Sequence, residues 1–314
     1  MPSTAARLFC PVCLAVFRQV FRRCPADGAV LDEIGEEPLL GAVLGGRYLI
    51  QSLIGEGGMG RVYFATDETG TGRFAIKVLY GELTAEPRQY ERFVREAARA
   101  ASFEHPNLVR VLDFGSTSGG QPYAVMEHVP GASLSRIIRS GGPLPRERII
   151  PLLGDLCRAL AYVHGRGIIH RDVKTGNVLV TDMAGRESAK LFDFGIAMDL
   201  SGNEERLTTA RHAIGTLSYM SPERALGETF DHRADLFSLG VVLYQMLAGE
   251  RPFPGPPMMA AVQSMTTRPP RVAERVPGVE VDPALEAISL RLMARDPGER
   301  YQSAEEVLRA LEEL

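Results

Sequence analysis

Strand-length and helix-length patterns are segregated along this chain, and that segregation limits the folds open to it. Residues 48–54, 61–66 and 73–79 are short segments divided by Gly-rich turns, which predicts an antiparallel meander. A stripe of Tyr90, Phe93, Ala97 and Ala100 predicts a helix over 86–102, and two more strands are expected near 108–114 and 122–127. Beyond Gly131 the pattern reads as mostly helical, with helices expected over 146–165, 233–248, 283–294 and 303–311. Strands first and helices afterwards imply an α+β chain with a small β-rich lobe containing one long helix, then a larger helical lobe.

Between the first two expected strands, Gly55-Glu56-Gly57-Gly58-Met59-Gly60 fits G-x-G-x-x-G. A dinucleotide fingerprint needs a helix directly after the third glycine and an acid about 20 residues on. Here Arg61-Val62-Tyr63-Phe64-Ala65 alternates as a strand, and the corresponding distant residue is Lys77. The context is a glycine flap between antiparallel strands, where backbone N–H groups can approach phosphate oxygens; a merely flexible hairpin stays open as the alternative. In Phe74-Ala75-Ile76-Lys77-Val78, alternation puts Ala75 and Lys77 on one face. A strand lysine ordinarily snorkels to water. Beside a small alanine it can instead reach a phosphate while Ala75 leaves room for a flat base. Glu96 is its expected acidic partner, with Glu91 the rival.

His170-Arg171-Asp172-Val173-Lys174-Thr175-Gly176-Asn177, followed by Asp193-Phe194-Gly195, resembles the catalytic and metal-binding segments of protein kinases. Over about residues 48–314 the other signatures stand in family order: the glycine loop, Ala75-Ile76-Lys77, Ser221-Pro222-Glu223, Asp235 and Arg300. Gly58-Met59-Gly60-Arg61-Val62-Tyr63 and the run from Gly215 to Glu223 are similar to the bacterial, eukaryotic-like Ser/Thr branch. The resemblance implies the two-lobed kinase fold, residues 47–129 and 130–314, with ATP and Mg²⁺ or Mn²⁺ as cofactors and proteins as substrates. It implies that Asp172 takes the proton of the substrate hydroxyl and that Lys174 neutralises the γ-phosphate. Lys77 would hold the α- and β-phosphates, Glu96 would hold Lys77, and Asn177 and Asp193 would ligate the metal. ATP would contact Ile54, Gly55, Glu56, Gly57, Gly58, Gly60, Val62, Ala75 and Met126, with the base bonded by the backbone of Glu127 and Val129. A pseudokinase scaffold would lack Lys77, Asp172, Asn177 or Asp193, and all four are present. Thr175 stands where the family often has Pro, and Gly176 where it often has Ala or Glu, which bears on loop rigidity.

The polar stretch 201–212 contains Thr208 and Thr209, and Arg171 precedes Asp172 as a cation suited to a phosphate. Autophosphorylation at Thr208 or Thr209 is therefore expected, with solvated threonines as the alternative. Thr216 is expected to shape the peptide site. Glu223 and Arg300 are expected to form a buried ion pair, and Asp235 to brace the loop that carries Asp172.

Cys10-Pro11-Val12-Cys13 and Cys24-Pro25-Ala26-Asp27 are similar knuckles, each resembling half a zinc ribbon with Asp27 in the place of a fourth Cys. Zinc held by Cys10, Cys13, Cys24 and Asp27, a metal-free remnant, and a redox Cys-x-x-Cys pair are all open readings. Residues 1–30 are expected to form this unit, a docking segment for a regulatory protein, and 31–46 an acidic, Gly-containing linker. A zinc-ribbon adaptor that merely carries the kinase-like region is the alternative for the whole chain. A net charge of −4 gives no nucleic-acid footprint. No stretch approaches the roughly 18 unbroken apolar residues of a membrane span. The apolar run after Arg7 contains Pro11 and two cysteines, with no small-residue cleavage site before Arg18, so a secretory leader is not expected. With the chain ending at Leu314, a cytoplasmic enzyme is expected.

Overall fold

Alternation along the early strands sorts their side chains onto two faces, and the apolar face builds the first core. The structure, a computed structural model, describes residues 7–9, 16–18, 22–23, 32–34, 39–57, 60–80, 98–99, 101–183, 185–193 and 217–314. Its strands are β1 (Arg7–Phe9), β2 (Val16–Arg18), β3 (Asp32–Ile34), β4 (Val43–Leu44), β5 (Tyr48–Gly57), β6 (Gly60–Thr66), β7 (Arg73–Leu79), β8 (Val111–Ser116), β9 (Pro122–Glu127), β10 (Ala132–Ser133), β11 (Val178–Met183) and β12 (Arg186–Leu191). Its helices are α1 (Leu134–Gly141), α2 (Arg146–His164), α3 (Pro222–Ala225), α4 (Arg233–Ala248), α5 (Pro257–Thr266), α6 (Val272–Arg275), α7 (Pro283–Leu292) and α8 (Ala304–Glu312). The chain divides into two compact units, one carrying the strands through β9 and the other the segments from Pro130 onward together with Glu104–Val109.

In the first unit six strands pair antiparallel in the order β4-β5-β6-β7-β9-β8. Tyr63, Ala65, Phe74, Ile76, Val78 and Val125 are buried in one core with Tyr48, Ile50 and Leu53. Gly60 sits where β6 crowds β7: a Cβ there would lie 2.1 Å from the Val78 carbonyl oxygen. This glycine is thus demanded by strand packing. The strands were expected at nearly these limits, although β8 starts at Val111 and the two strands of the glycine flap run on to Gly57 and from Gly60. A second antiparallel sheet, β2-β1-β3, gathers the N-terminal strands. Its third strand, Asp32–Ile34, comes from the acidic segment read as linker, since a backbone ladder can form without an apolar side-chain pattern. Residues 98, 99 and 101 are helical; the rest of the helix expected over 86–102, Glu91 and Glu96 included, lies outside the described residues.

The second unit is organised around α4. All of its 16 residues except Arg233 and Gln245 are buried, as befits a helix apolar on every side. Gly240 lets α7 come close, for a Cβ would stand 2.7 Å from the Leu292 Cβ. The helical periods expected around 146–165, 233–248, 283–294 and 303–311 are present as α2, α4, α7 and α8. Not anticipated were α1, α5 and the β10-β11-β12 sheet, which sets strands within an otherwise helical unit. In α1 only Leu134 and Ile138 are buried, one apolar pair that is too little to declare a period. Among the described residues no helix is long and apolar enough to cross a membrane.

Arg300 closes this unit. Its side chain is fully buried, and its five N–H groups meet five acceptors. Nε donates to Ala294 O at 2.8 Å; Nη1 donates to Glu223 Oε1 at 2.9 Å and Arg233 O at 3.0 Å. Nη2 donates to Glu223 Oε2 at 2.8 Å and Arg295 O at 3.1 Å. Burial pushes the Glu223 carboxyl up, but the hydrogen bonds and charge of Arg300 outweigh it and hold Glu223 below its ordinary 4.5. Arg300→Ala is expected to destabilise the protein by about 3–5 kcal/mol in denaturant melts, because it strands a buried carboxylate. The same linkage sets a pH window: Glu223 contributes stability above about 4.5 that is lost as pH falls through its depressed folded value. Glu223→Gln should flatten that acid limb.

Candidate active site

Within the β unit, register places the expected nucleotide residues side by side. Across β6, β7 and β9, Val62 pairs with Lys77 and Phe64 with Ala75, while Ala75 pairs with Met126 and Lys77 with Ala124. Since side chains alternate, Val62, Ala75, Lys77 and Met126 share the face opposite the core. Val62, Ala75 and Lys77 are each half-buried there. The face offers apolar surface for a flat ring and one ammonium for an anion, so it fits a nucleotide. The Glu127 backbone N–H donates to Arg110 O at 3.0 Å, and Glu127 Oε1 accepts the Arg110 N–H at 3.1 Å. This ties the end of β9 to the residue before β8. At the flap, Glu56 Oε1 accepts from Arg61 Nε at 3.0 Å and from the Tyr80 hydroxyl at 2.6 Å. Burial, then this bond, pushes the Tyr80 hydroxyl up to about 12. Gly58 lies outside the described residues, whereas Ile54, Gly55, Glu56 and Gly57 belong to β5.

Within the helical unit, the loop from His170 to Asn177 is fixed from beneath by Asp235. This carboxylate accepts the His170 N–H at 2.7 Å, the Arg171 N–H at 2.8 Å and the His164 Nε2 at 2.9 Å. A carboxylate is an acceptor, so His164 carries its proton on Nε2. Burial alone would raise Asp235; the His164 bond and the other donors hold it below the usual carboxylate range. Arg171 adopts φ 67°, a left-handed conformation, and its carbonyl accepts from Arg224 Nη1 at 2.7 Å. Burial pushes His170 down, in keeping with a neutral ring whose Nδ1 accepts the Asp172 N–H at 3.3 Å.

Asp172 is 4% exposed. Its Oδ2 accepts from Lys174 Nζ at 2.8 Å and from Asn177 Nδ2 at 2.8 Å. Asn177 Nδ2 also donates to Asp172 O at 2.9 Å. With both amide hydrogens so placed, Asn177 offers Oδ1 as its ligand atom. Phe192 N–H donates to Asn177 O at 3.0 Å, which brings Asp193, at φ 63°, alongside. An amide oxygen and a carboxylate form a hard donor set that fits Mg²⁺. The loop rigidity expected to suffer from Thr175 has another source: buried Thr175 Oγ1 lies 2.9 Å from the Tyr219 hydroxyl and 3.2 Å from Gln245 Oε1. The structure thus groups Asp172, Lys174, Asn177 and Asp193 in one unit and Val62, Ala75, Lys77 and Met126 in the other. Sequence reading missed His164 and Arg224; the only signals were their positions just before the loop and just after Glu223. Thr208, Thr209, Thr216, Cys10, Cys13, Cys24 and Asp27 lie outside the described residues.

Comparison with known proteins bears on this geometry. A family model described as the protein kinase domain matches residues 48–310. The serine/threonine-protein kinase PknB of Mycobacterium leprae is 41% identical over 268 residues, covering 84% of this chain and 42% of that protein. The serine/threonine-protein kinase pkn3 of Myxococcus xanthus is 37% identical over 270 residues, covering 85% of this chain and 49% of that protein. The chain therefore spans less than half the length of these curated relatives. A solved structure of the Mycobacterium tuberculosis PknI kinase domain superposes with a TM-score of 0.67 at 28% identity, covering 87% of this chain and 98% of that one. With the domain model covering most of its length and the ordered signatures in place, this chain belongs to the protein kinase family.

Proposed function

We propose that the chain is a Ser/Thr protein kinase that transfers the γ-phosphate of ATP to protein hydroxyls, with Asp172 as the base. The observation that carries this reading is the Asp172 carboxylate, buried and held by Lys174 and Asn177 on a loop anchored by Asp235. Asp172 accepts the substrate hydroxyl's hydrogen bond and takes its proton as the new O–P bond forms. The bond from the γ-phosphorus to the β–γ bridging oxygen breaks, and ADP departs with that electron pair. Lys174, two residues on, supplies positive charge to the transferring group. Lys77 holds the α- and β-phosphates and Glu96 holds Lys77, while Ala75, Val62 and Met126 enclose the base. Asn177 and Asp193 would hold Mg²⁺, which when bound neutralises phosphate charge. Lys at position 174 goes with Ser/Thr specificity in the family, and dependence on ATP supports a cytoplasmic site of action.

Two finer readings belong to the same proposal. Thr208 or Thr209 is autophosphorylated, and the resulting charge of about −1.5 to −2 orders its loop through Arg171. The N-terminal unit holds zinc through Cys10, Cys13, Cys24 and Asp27 and docks a regulatory protein. In support, β1 and β2 are adjacent antiparallel strands, with Phe9 paired to Val16.

Labelled-ATP transfer to the chain itself and to a generic protein should yield phosphoserine or phosphothreonine. Asp172→Asn should lower kcat by about 10²–10⁴-fold, the range for loss of a general base, with the folded melt retained. Transfer undiminished in Asp172→Asn would sink the assignment. The Thr208→Ala/Thr209→Ala double variant should lose phosphate content and activity together; full retention of both removes the regulatory reading. Metal analysis should find zinc in the wild type and none in Cys10→Ser/Cys13→Ser, and metal-free wild-type protein refutes the zinc site.

A further inference from the structure

Asp235 fixes the two peptides that lead toward the base, but the peptide attached to Asp172 itself has another holder. Asp235 takes the His170 and Arg171 N–H groups at 2.7 and 2.8 Å. The next peptide joins the Arg171 carbonyl to the Asp172 N–H, and its plane decides the direction in which the Asp172 side chain leaves the backbone. Its carbonyl accepts from Arg224 Nη1 at 2.7 Å, whereas its N–H donates to His170 Nδ1 at 3.3 Å. The first bond is short and its donor is charged, which makes it roughly twice as strong as a bond between neutral groups. Arg171 stands at φ 67°, a strained conformation for an L-residue, so this peptide needs an outside hold to keep its orientation.

Arg224 is itself held at both ends. It lies in α3 one residue after Glu223, whose carboxylate receives Nη1 and Nη2 of Arg300 at 2.9 and 2.8 Å. Leu226 N–H donates to Pro222 O at 3.0 Å and Glu228 N–H to Glu223 O at 2.9 Å, and the chain turns at Gly227, φ 70°. Beyond that turn Phe230 packs against the guanidinium, with Arg224 Cζ 5.2 Å from the ring centroid. Burial pushes Arg224 down, and the Asp235 and Asp172 carboxylates act against that. A side chain clamped at its base and stacked at its charged head is a stiff strut. Arg224 thereby joins the Glu223–Arg300 anchor to a peptide 53 residues away in sequence.

Resting on the kinase reading above, we propose that Arg224 is a positioning residue for phosphoryl transfer: through the Arg171 carbonyl it holds the peptide that aims Asp172, and so carries the rigidity of the Glu223–Arg300 anchor to the base. Acting through another residue, Arg224 shows its effect in kcat, because the aim of the base matters only when the hydroxyl proton moves. A residue that merely packed α3 would instead lower the fraction of folded protein, with each folded molecule fully active.

The test compares Arg224→Met and Arg224→Lys in phosphorylation of a Ser/Thr peptide, well below their melting temperatures. Arg224→Met keeps the stem and loses the donor. Its kcat should fall by about 10²-fold, the effect of moving a catalytic group by about 1 Å, with KM for ATP within about twofold of wild type. Arg224→Lys returns a charged donor on a shorter stem and should recover about tenfold of that loss, the worth of one charge-assisted hydrogen bond. The Asp172→Asn background separates positioning from packing. There Arg224→Met should change the residual kcat by less than about twofold, since residues that act as a unit do not multiply their losses. The proposal is overturned, with the kinase reading intact, by equal kcat in wild type and Arg224→Met, by Arg224→Lys no better than Arg224→Met, or by a loss repeated in full on Asp172→Asn. Failure of the kinase reading looks different: the wild type transfers nothing, or Asp172→Asn transfers undiminished, and the positioning role falls with the base. Should Arg224→Met melt below the assay temperature, Arg224→Lys carries the test. A loss of about tenfold that vanishes on Asp172→Asn then supports the proposal, and a loss that persists there refutes it.

Discussion

The geometry around Asp172 depends on a second buried carboxylate. Asp235, 1% exposed, collects two backbone N–H groups and the His164 ring, so its desolvation is offset by three donors. Its place in the first turn of α4 adds the favourable end of the helix dipole. Arg171 is held at φ 67°, where an L-residue costs about 1–2 kcal/mol. That conformation persists because Asp235 fixes the Arg171 N–H and Arg224 fixes its carbonyl. The strained residue turns the chain so that the next side chain, Asp172, meets Lys174 and Asn177. A fixed backbone thus sets the position of the Asp172 carboxylate.

The β unit solves a different problem with a cheaper device. Strand alternation alone sends Tyr63, Phe74, Ile76 and Val125 into a core and leaves Val62, Ala75, Lys77 and Met126 on the other face. Register does the positioning, and a one-residue slip would exchange the two sets. Gly60 protects that register, because any side chain there collides with the Val78 carbonyl at the start of the β6–β7 ladder. The third glycine of the flap therefore secures the sheet, which is a role distinct from approach to phosphate.

Legibility in the sequence followed the range of the forces involved. Asp172, Lys174 and Asn177 could be read because the resemblance rests on one short loop that holds all three, and Ala75 and Lys77 because period-2 alternation fixes their shared face. Glu223 and Arg300 were legible only through resemblance, since their bond joins residues 77 apart in sequence. Arg224 acts through a backbone carbonyl of the loop and His164 through the carboxylate of Asp235, distant in sequence, and neither bond leaves a trace in a local residue pattern. The β11–β12 hairpin was hidden for another reason: Glu187 and Lys190 interrupt β12, whose apolar content is too sparse to signal a strand.

Thr175 connects these levels. Where the family often sets the loop with a proline ring, this chain uses a buried hydroxyl bonded to Tyr219 and Gln245. Each neutral bond of this kind contributes about 0.5–1.5 kcal/mol, comparable to the gain from fixing one backbone angle. The exchange has a structural consequence that a proline would not have. A ring stiffens the loop by itself, whereas the hydroxyl stiffens it only through side chains from other parts of the unit, Tyr219 and Gln245. Gln245 Oε1 accepts from both hydroxyls, and so is committed to the loop. The stiffness of the segment beside Asp172 therefore depends on one glutamine side chain of α4.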